Sequence, residues 1–164
     1  MVERRLEPGV RGRAGRAGAE DTGVVVNDAD VTAAGWFAEH FQKDNVVWNG
    51  EGGKTIFFQN ELPYDAPNQA AWQHDGVLGW AAYKVADSVK THELWGGGSY
   101  IFTNVVPSLH ATHGFEVPVT PGVRLHDLLT VQLGAGTLDH IVNDTGNAVT
   151  SAAVGIPSFL VSFP

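Results

Sequence analysis

Lys54-Thr55-Ile56-Phe57-Phe58-Gln59-Asn60-Glu61-Leu62-Pro63-Tyr64-Asp65 reads as a strand that runs into a proline. Its β-branched and aromatic residues favour a pleated, half-buried surface. Pro63 has no N–H to give to a ladder, so the strand stops before it. With Ile56 and Phe58 turned inward, the two-residue period sends Thr55, Phe57, Gln59 and Glu61 to the outer face and Asn60 inward. One exposed strip then carries an acid, an amide and an aromatic ring.

Outward from this strand the pattern repeats in short bursts: Val24-Val25-Val26, Val46-Val47-Trp48, Tyr100-Ile101-Phe102 and Leu128-Leu129-Thr130-Val131, separated by Gly, Asn, Asp and Pro. Helical spacing is not sustained over eleven residues anywhere, although Ala66 to Ala71 and Val123 to Leu129 could each hold a turn or two. The expected class is all-β. Gly35-Trp36-x-Ala38 recurs as Gly79-Trp80-x-Ala82, and Phe58-x-Asn60 as Phe102-x-Asn104; both offsets equal two periods of 22. A coil of a parallel β-helix has about this length. That register predicts some six coils, with Glu39 one coil below Glu61, Tyr83 one coil above it, and Asn60 and Asn104 in an asparagine stack.

Stacked carboxylates have a chemical consequence. Neighbouring strands lie roughly 4.8 Å apart, and two carboxyl groups that close resist double ionisation, so one keeps a proton near neutrality. Such a group serves as a general acid. All five tryptophans, Trp36, Trp48, Trp72, Trp80 and Trp95, fall between residues 36 and 95. Indole offers a broad rigid face to the C–H surface of a sugar ring. Trp36 and Trp80 read as core, whereas Trp48, Trp72 and Trp95 stand beside Asn, Gln or Gly in expected loops, where ligand contact competes with packing.

Other signals are weaker. Gly50-Glu51-Gly52-Gly53-Lys54-Thr55 ends like a phosphate loop, but its first glycine would have to be residue 48, which is Trp48. His110-Ala111-Thr112-His113 has two imidazoles but no acidic partner in a zincin pattern, and Pro107 opposes the helix that pattern needs. His40, His92, His126 and His140 are scattered and read as structural, and Gly96-Gly97-Gly98 as tight turns. No metal or cofactor is expected. The 164 residues contain no cysteine, which removes thiolate nucleophiles, disulfides and cysteine zinc sites. They suit a single domain.

Charge divides the chain. Residues 1 to 16 hold five arginines against two glutamates, while the rest carries a net −11. Residues 1–20 therefore read as a disordered basic tail and residues 21–164 as the folded body. The acidic body argues against nucleic acid, and no apolar run is long enough to span a membrane. No apolar segment follows the basic start, so a signal peptide is not legible.

The string GWFAEHFQKDNVVWNGEGGKTIFFQNELPYDAPNQAAW (35–72), with YKVADSVKTHELWGGGSY (83–100) and FEVPVTPGVRLHDLLTV (115–131), resembles the C-terminal part of bacterial members of glycoside hydrolase family 55. These are exo-β-1,3-glucanases of the laminarinase type. The resemblance runs from about Asp21 to Pro164 and implies a partial right-handed parallel β-helix, the pectin-lyase-like solenoid. It implies inverting hydrolysis of β-1,3-glucan such as laminarin, with Glu61 as general acid. It also implies Glu39 and Tyr64 as supports that orient the acid or contact the terminal glucose. Gln59, on the same strip, is a sugar-binding candidate by geometry, as are Trp48, Trp72 and Trp95. Complete members pair two β-helix domains across a cleft and are extracellular, so this segment is expected to be a fragment of the second domain and inactive without the first. The alternatives are a non-catalytic glucan-binding or interaction module and a truncated gene remnant.

Overall fold

The computed structural model describes residues 20–164. The tail expected over 1–20 lies, but for its last residue, outside the described residues. The body is a right-handed parallel β-helix. One sheet stacks β1 (Val24–Val26), β3 (Val46–Trp48), β7 (Tyr83–Val85), β9 (His110–Glu116) and β11 (Thr137–Val142), each parallel to its neighbours. The second sheet, which carries the candidate site, stacks β2 (Thr32–Phe37), β4 (Gly53–Glu61), β8 (His92–Ile101) and β10 (Val123–Gln132) in parallel. An antiparallel strand, β12 (Ser158–Phe163), closes it against β10. Among the described residues the only helix is a 3-10 turn at Ser151–Ala153, so the helical alternative for Val123 to Leu129 is replaced by the first part of β10.

The described residues therefore make five rungs rather than six, because only the first coil has the expected length. In the site-bearing sheet Thr32 faces Lys54, 22 residues on, but Gly53 faces His92 and His92 faces Val123, offsets of 39 and 31. Residues 62 to 82 leave the coil and carry a small hairpin of β5 (Gln73–His74) and β6 (Val77–Leu78). The offset of 44 is thus a coincidence of sequence. Tyr83 lies in the opposite sheet, and the residue facing Glu61 from the next coil is Tyr100. Asn104 is exposed outside the strands, while Asn60 is buried and donates to the Ala38 carbonyl at 2.6 Å, so no asparagine stack forms.

A second departure turns the site around. Phe57 has φ +60, and the ladder skips it: Ile56 pairs with Trp95 and Phe58 with Gly97. Gly35, Gly96 and Asp127 occupy the equivalent place on their coils with φ of +61, +73 and +54. This column of left-handed residues bends each of the four parallel strands of the sheet and shifts its side-chain phase by one, as a bulge does. Thr55 is consequently buried and Ile56 exposed, the reverse of the expectation, while Phe57, Gln59 and Glu61 do face outward. Without the bend, a strand with Thr55 inside would have buried Glu61 as well. Gly96, Gly97 and Gly98 belong to strand β8 rather than to turns. Gly97 is small for the core: a Cβ there would stand 2.7 Å from Leu128 and 2.9 Å from Leu94 and Phe115.

Between the sheets, aromatic rings stack along the solenoid axis. Trp36 meets Phe58 at 5.0 Å, Phe58 meets Tyr83 at 5.3 Å, and Tyr83 reaches Trp48 at 6.2 Å and Phe115 at 6.4 Å. Burying each such side chain contributes about 1.5–3 kcal/mol relative to exposure. One polar thread crosses this core, from Thr55 Oγ1 to the Tyr83 hydroxyl at 2.8 Å and on to His92 Nε2 at 2.9 Å. Burial pushes the His92 imidazole down to about 4, against a weaker upward pull from Glu93. The folded state therefore keeps His92 neutral while the unfolded chain takes up a proton near 6.5. Stability from this group is complete above pH 6.5, falls as pH drops toward 4, and is then lost, an effect of about 3 kcal/mol. Urea unfolding at pH 7 and pH 4.5 is expected to show a smaller loss for His92→Gln than for the parent; equal losses would refute this assignment.

Candidate functional site

Glu61 closes β4 on the outer face of the second sheet. Its neighbours come from three coils. Beneath it the 22-residue register continues past β2, with the Ala38 N–H on the Gln59 carbonyl at 3.4 Å and the His40 N–H on the Glu61 carbonyl at 2.8 Å. This sets Glu39 below Glu61 as expected, and Tyr100 stands above it. The third group, Tyr64, comes from the chain just after the strand. Leu62 and Pro63 are buried, the Leu62 N–H bonds the Tyr100 carbonyl at 2.9 Å, and the turn brings the phenol back over the carboxyl. The Tyr64 hydroxyl donates to Glu61 Oε2.

Tyr64 is wedged edge-on between His40, at 4.4 Å, and Phe102, at 5.4 Å. His40 Nε2 stands 3.7 Å from the same Oε2. The residue was passed over in the sequence as one of several scattered histidines. Only the 22-residue offset, which puts it beside Glu39 and below Leu62, pointed toward this place.

The electrostatics are those of a crowded acidic row. Partial burial, then the charge of Glu61, lift the Glu39 carboxyl above its usual range, with His40 opposing. Burial, then the bond to Glu61 and the charges of Glu61 and Glu39, push Tyr64 up to about 12. Tyr64 thus remains a hydrogen-bond donor at any ordinary pH. Tyr100 is raised by partial burial and by Glu61.

Two residues along the strand, Gln59 lies between Phe37 on one coil and Gly98 on the next. A Cβ on residue 98 would be 2.8 Å from the Gln59 amide nitrogen, so the glycine lets this amide lie flat on the sheet. Phe37 and Phe57, 56% and 49% exposed, meet edge to face at 6.4 Å beside it. Acid, phenol, amide and rings are therefore gathered on one open face.

The tryptophan platform is corrected. Trp48 and Trp72 are fully buried, the first in the inter-sheet stack and the second beneath the loop that leaves the coil, so neither presents a face to a sugar. Both lie next to polar residues in sequence, but the fold turns those neighbours out and the indoles in. Trp95 is exposed, yet its ring is stacked on His126 at 3.9 Å. It lies five residues from Tyr100 along β8, roughly 15 Å from the acidic row. Phe37, Tyr100 and His40 were missed; Tyr100 was out of reach because a coil of 39 residues carries no length signal.

Known proteins share this arrangement of coils. A model of the LAM55 pectate lyase-like domain matches residues 8–61, so the match begins inside the stretch set apart by its charge. An exo-beta-1,3-glucanase of Streptomyces sp. (strain SirexAA-E / ActE) is 56% identical over 145 residues, 88% of this chain and 24% of that protein. The structure of sacteLam55A from Streptomyces sp. SirexAA-E superposes with a TM-score of 0.88 at 53% identity, covering 91% of this chain and 27% of its own. A glutamate-to-alanine variant of sacteLam55A in complex with glucose matches equally well, with a TM-score of 0.88 at 52% identity and the same coverage. This chain spans about a quarter of the length of these relatives. Taken with the parallel coils, this similarity shows that the chain shares the sequence and the coil arrangement of one part of these Lam55-type β-helix proteins.

Proposed function

We propose that this chain carries the proton-donating half of an inverting exo-β-1,3-glucanase, with the terminal glucose of the glucan seated over Glu61. The observation that carries the reading is the Tyr64 hydroxyl on Glu61 Oε2. A donor aimed at one carboxyl oxygen favours that oxygen as the acceptor, so the transferable proton resides on Oε1. Glu61 Oε1–H gives this proton to the glycosidic oxygen as the C–O bond breaks, and a water adds to the anomeric carbon from the opposite face. Glu39, whose carboxyl is lifted above its usual range by partial burial and by the charge of Glu61, flanks the acid on the adjacent coil. Gln59 and the Phe37–Phe57 pair offer an amide and C–H-binding rings to the sugar.

An inverting enzyme separates acid and base by roughly 6.5–9.5 Å to admit the water. Glu39, on the adjacent coil, is too near to be that base. We place the water-holding groups outside this chain, in a preceding β-helix domain, and infer that the chain alone binds glucan without turning it over. Residues 21–164 are then a partial second domain of an extracellular enzyme.

The test is a chimera in which this chain replaces the matching segment of the Streptomyces glucanase. Proton NMR of laminarin digestion is expected to show glucose as the product, appearing first as the α-anomer. A chimera that folds and releases no glucose would overturn the assignment, and β-glucose as the first product would overturn inversion.

A further inference from the structure

His40 adopts φ +65, a conformation that residues with a Cβ seldom occupy. In an extended chain consecutive side chains point to opposite faces, so with Glu39 outside, residue 40 would point into the solenoid. The left-handed backbone breaks that alternation and leaves Glu39 and His40 both exposed on the site face. The twist is held by the His40 N–H on the Glu61 carbonyl at 2.8 Å. Strained conformations of this kind persist where the surroundings fix them, and they cluster at functional sites. The ring so placed touches two members of the site at once. It packs edge-on against Tyr64, on the side opposite Phe102, and its Nε2 faces the carboxyl oxygen that the phenol already holds.

We propose that His40 is a positioning residue that keeps the Tyr64 hydroxyl on Glu61 Oε2. It rests on the reading of Glu61 as proton donor only for its purpose. Its ring stops the phenol from swinging toward His40's own coil, and its nitrogen occupies the remaining approach to Oε2. Oε1 is thereby left as the oxygen that faces the substrate. The ring is not placed to act on sugar itself; it acts through the two side chains it touches. Glu61 and Tyr64 are the titratable groups it touches, and Glu39 is its neighbour in the chain.

The experiment uses the full chain with its three tyrosines labelled at 13Cζ, the Tyr64 signal being assigned by Tyr64→Phe. At neutral pH the displacement of that signal between the parent and Glu61→Gln reads the phenol–carboxyl bond. In a His40→Gly background the same Glu61→Gln displacement is expected to shrink at least threefold, because the bond is no longer held. The melting temperature of His40→Gly is expected to be unchanged or raised, since glycine relieves the left-handed strain. An undiminished displacement in the glycine background would overturn the proposal, because His40 would then only shield the ring. So would a lowered melting temperature with the displacement intact. Should His40→Gly fail to fold, His40→Asn, which tolerates the same backbone, gives the same reading. Turnover is not involved, so a failure of the glucanase reading, seen as undiminished glucose release by Glu61→Gln, remains separate from a failure here.

Discussion

Glucose release from laminarin by the Streptomyces chimera is expected to fall roughly 10²–10⁴-fold when Glu61→Gln is introduced, the usual contribution of a positioned general acid. Glutamine keeps the shape of the side chain and an oxygen to accept from Tyr64, so the local packing around Leu62, Pro63 and Tyr64 has no reason to change. What disappears is the transferable proton. The loss should therefore fall on kcat, with the KM for laminarin nearly preserved. A glutamine variant with a raised KM and unaltered kcat would make Glu61 a sugar-binding residue instead.

The second large effect falls on folding. Trp48→Ala is expected to lower the unfolding free energy by about 3–5 kcal/mol, the range for removing a large aromatic side chain from a core. Trp48 is fully buried, faces Tyr83 at 6.2 Å and packs edge-on against His92 at 4.9 Å, so its loss opens a cavity beside the polar thread that joins the two sheets. Denaturant unfolding of the chain measures it directly. Were Trp48 a sugar platform, the same substitution would leave stability within about 0.5 kcal/mol, as surface changes do, and would weaken laminarin binding instead.

The sequence carried the solenoid better than its dimensions. The 22-residue spacing between Glu39 and Glu61 is real because nothing is inserted between β2 and β4. It fails at the next coil, where residues 62 to 82 leave the sheet and return, and a loop of that kind has no periodicity to announce it. For the same reason Tyr83 looked like a neighbour of Glu61 and Tyr100 did not. The outward face of Glu61 was read correctly from an incorrect phase. Thr55 and Ile56 exchange places because Phe57 takes a left-handed conformation, which a phenylalanine does not advertise. Gly35 and Gly96 do advertise it at the equivalent positions, but only once the coils are aligned. The tryptophans misled for a different reason: a polar neighbour in sequence says which side of the strand that neighbour faces, and Trp48 faces the other. Gln59 could be placed beside the acid because it lies two residues before it on a strand whose end Pro63 marks, whereas Tyr64, beyond that end, was singled out only by the family resemblance.

Leaving-group chemistry offers the sharpest probe of Glu61 as the source of the proton. A dinitrophenyl β-glucoside departs as a stable anion and needs no protonation, whereas the sugar alkoxide expelled from laminaribiose does. In the chimera, Glu61→Gln should cut laminaribiose hydrolysis by roughly 10²-fold or more while leaving dinitrophenyl glucoside hydrolysis within a few-fold of the parent. Equal losses on the two substrates would mean that Glu61 holds the sugar or the fold and gives no proton to the leaving oxygen.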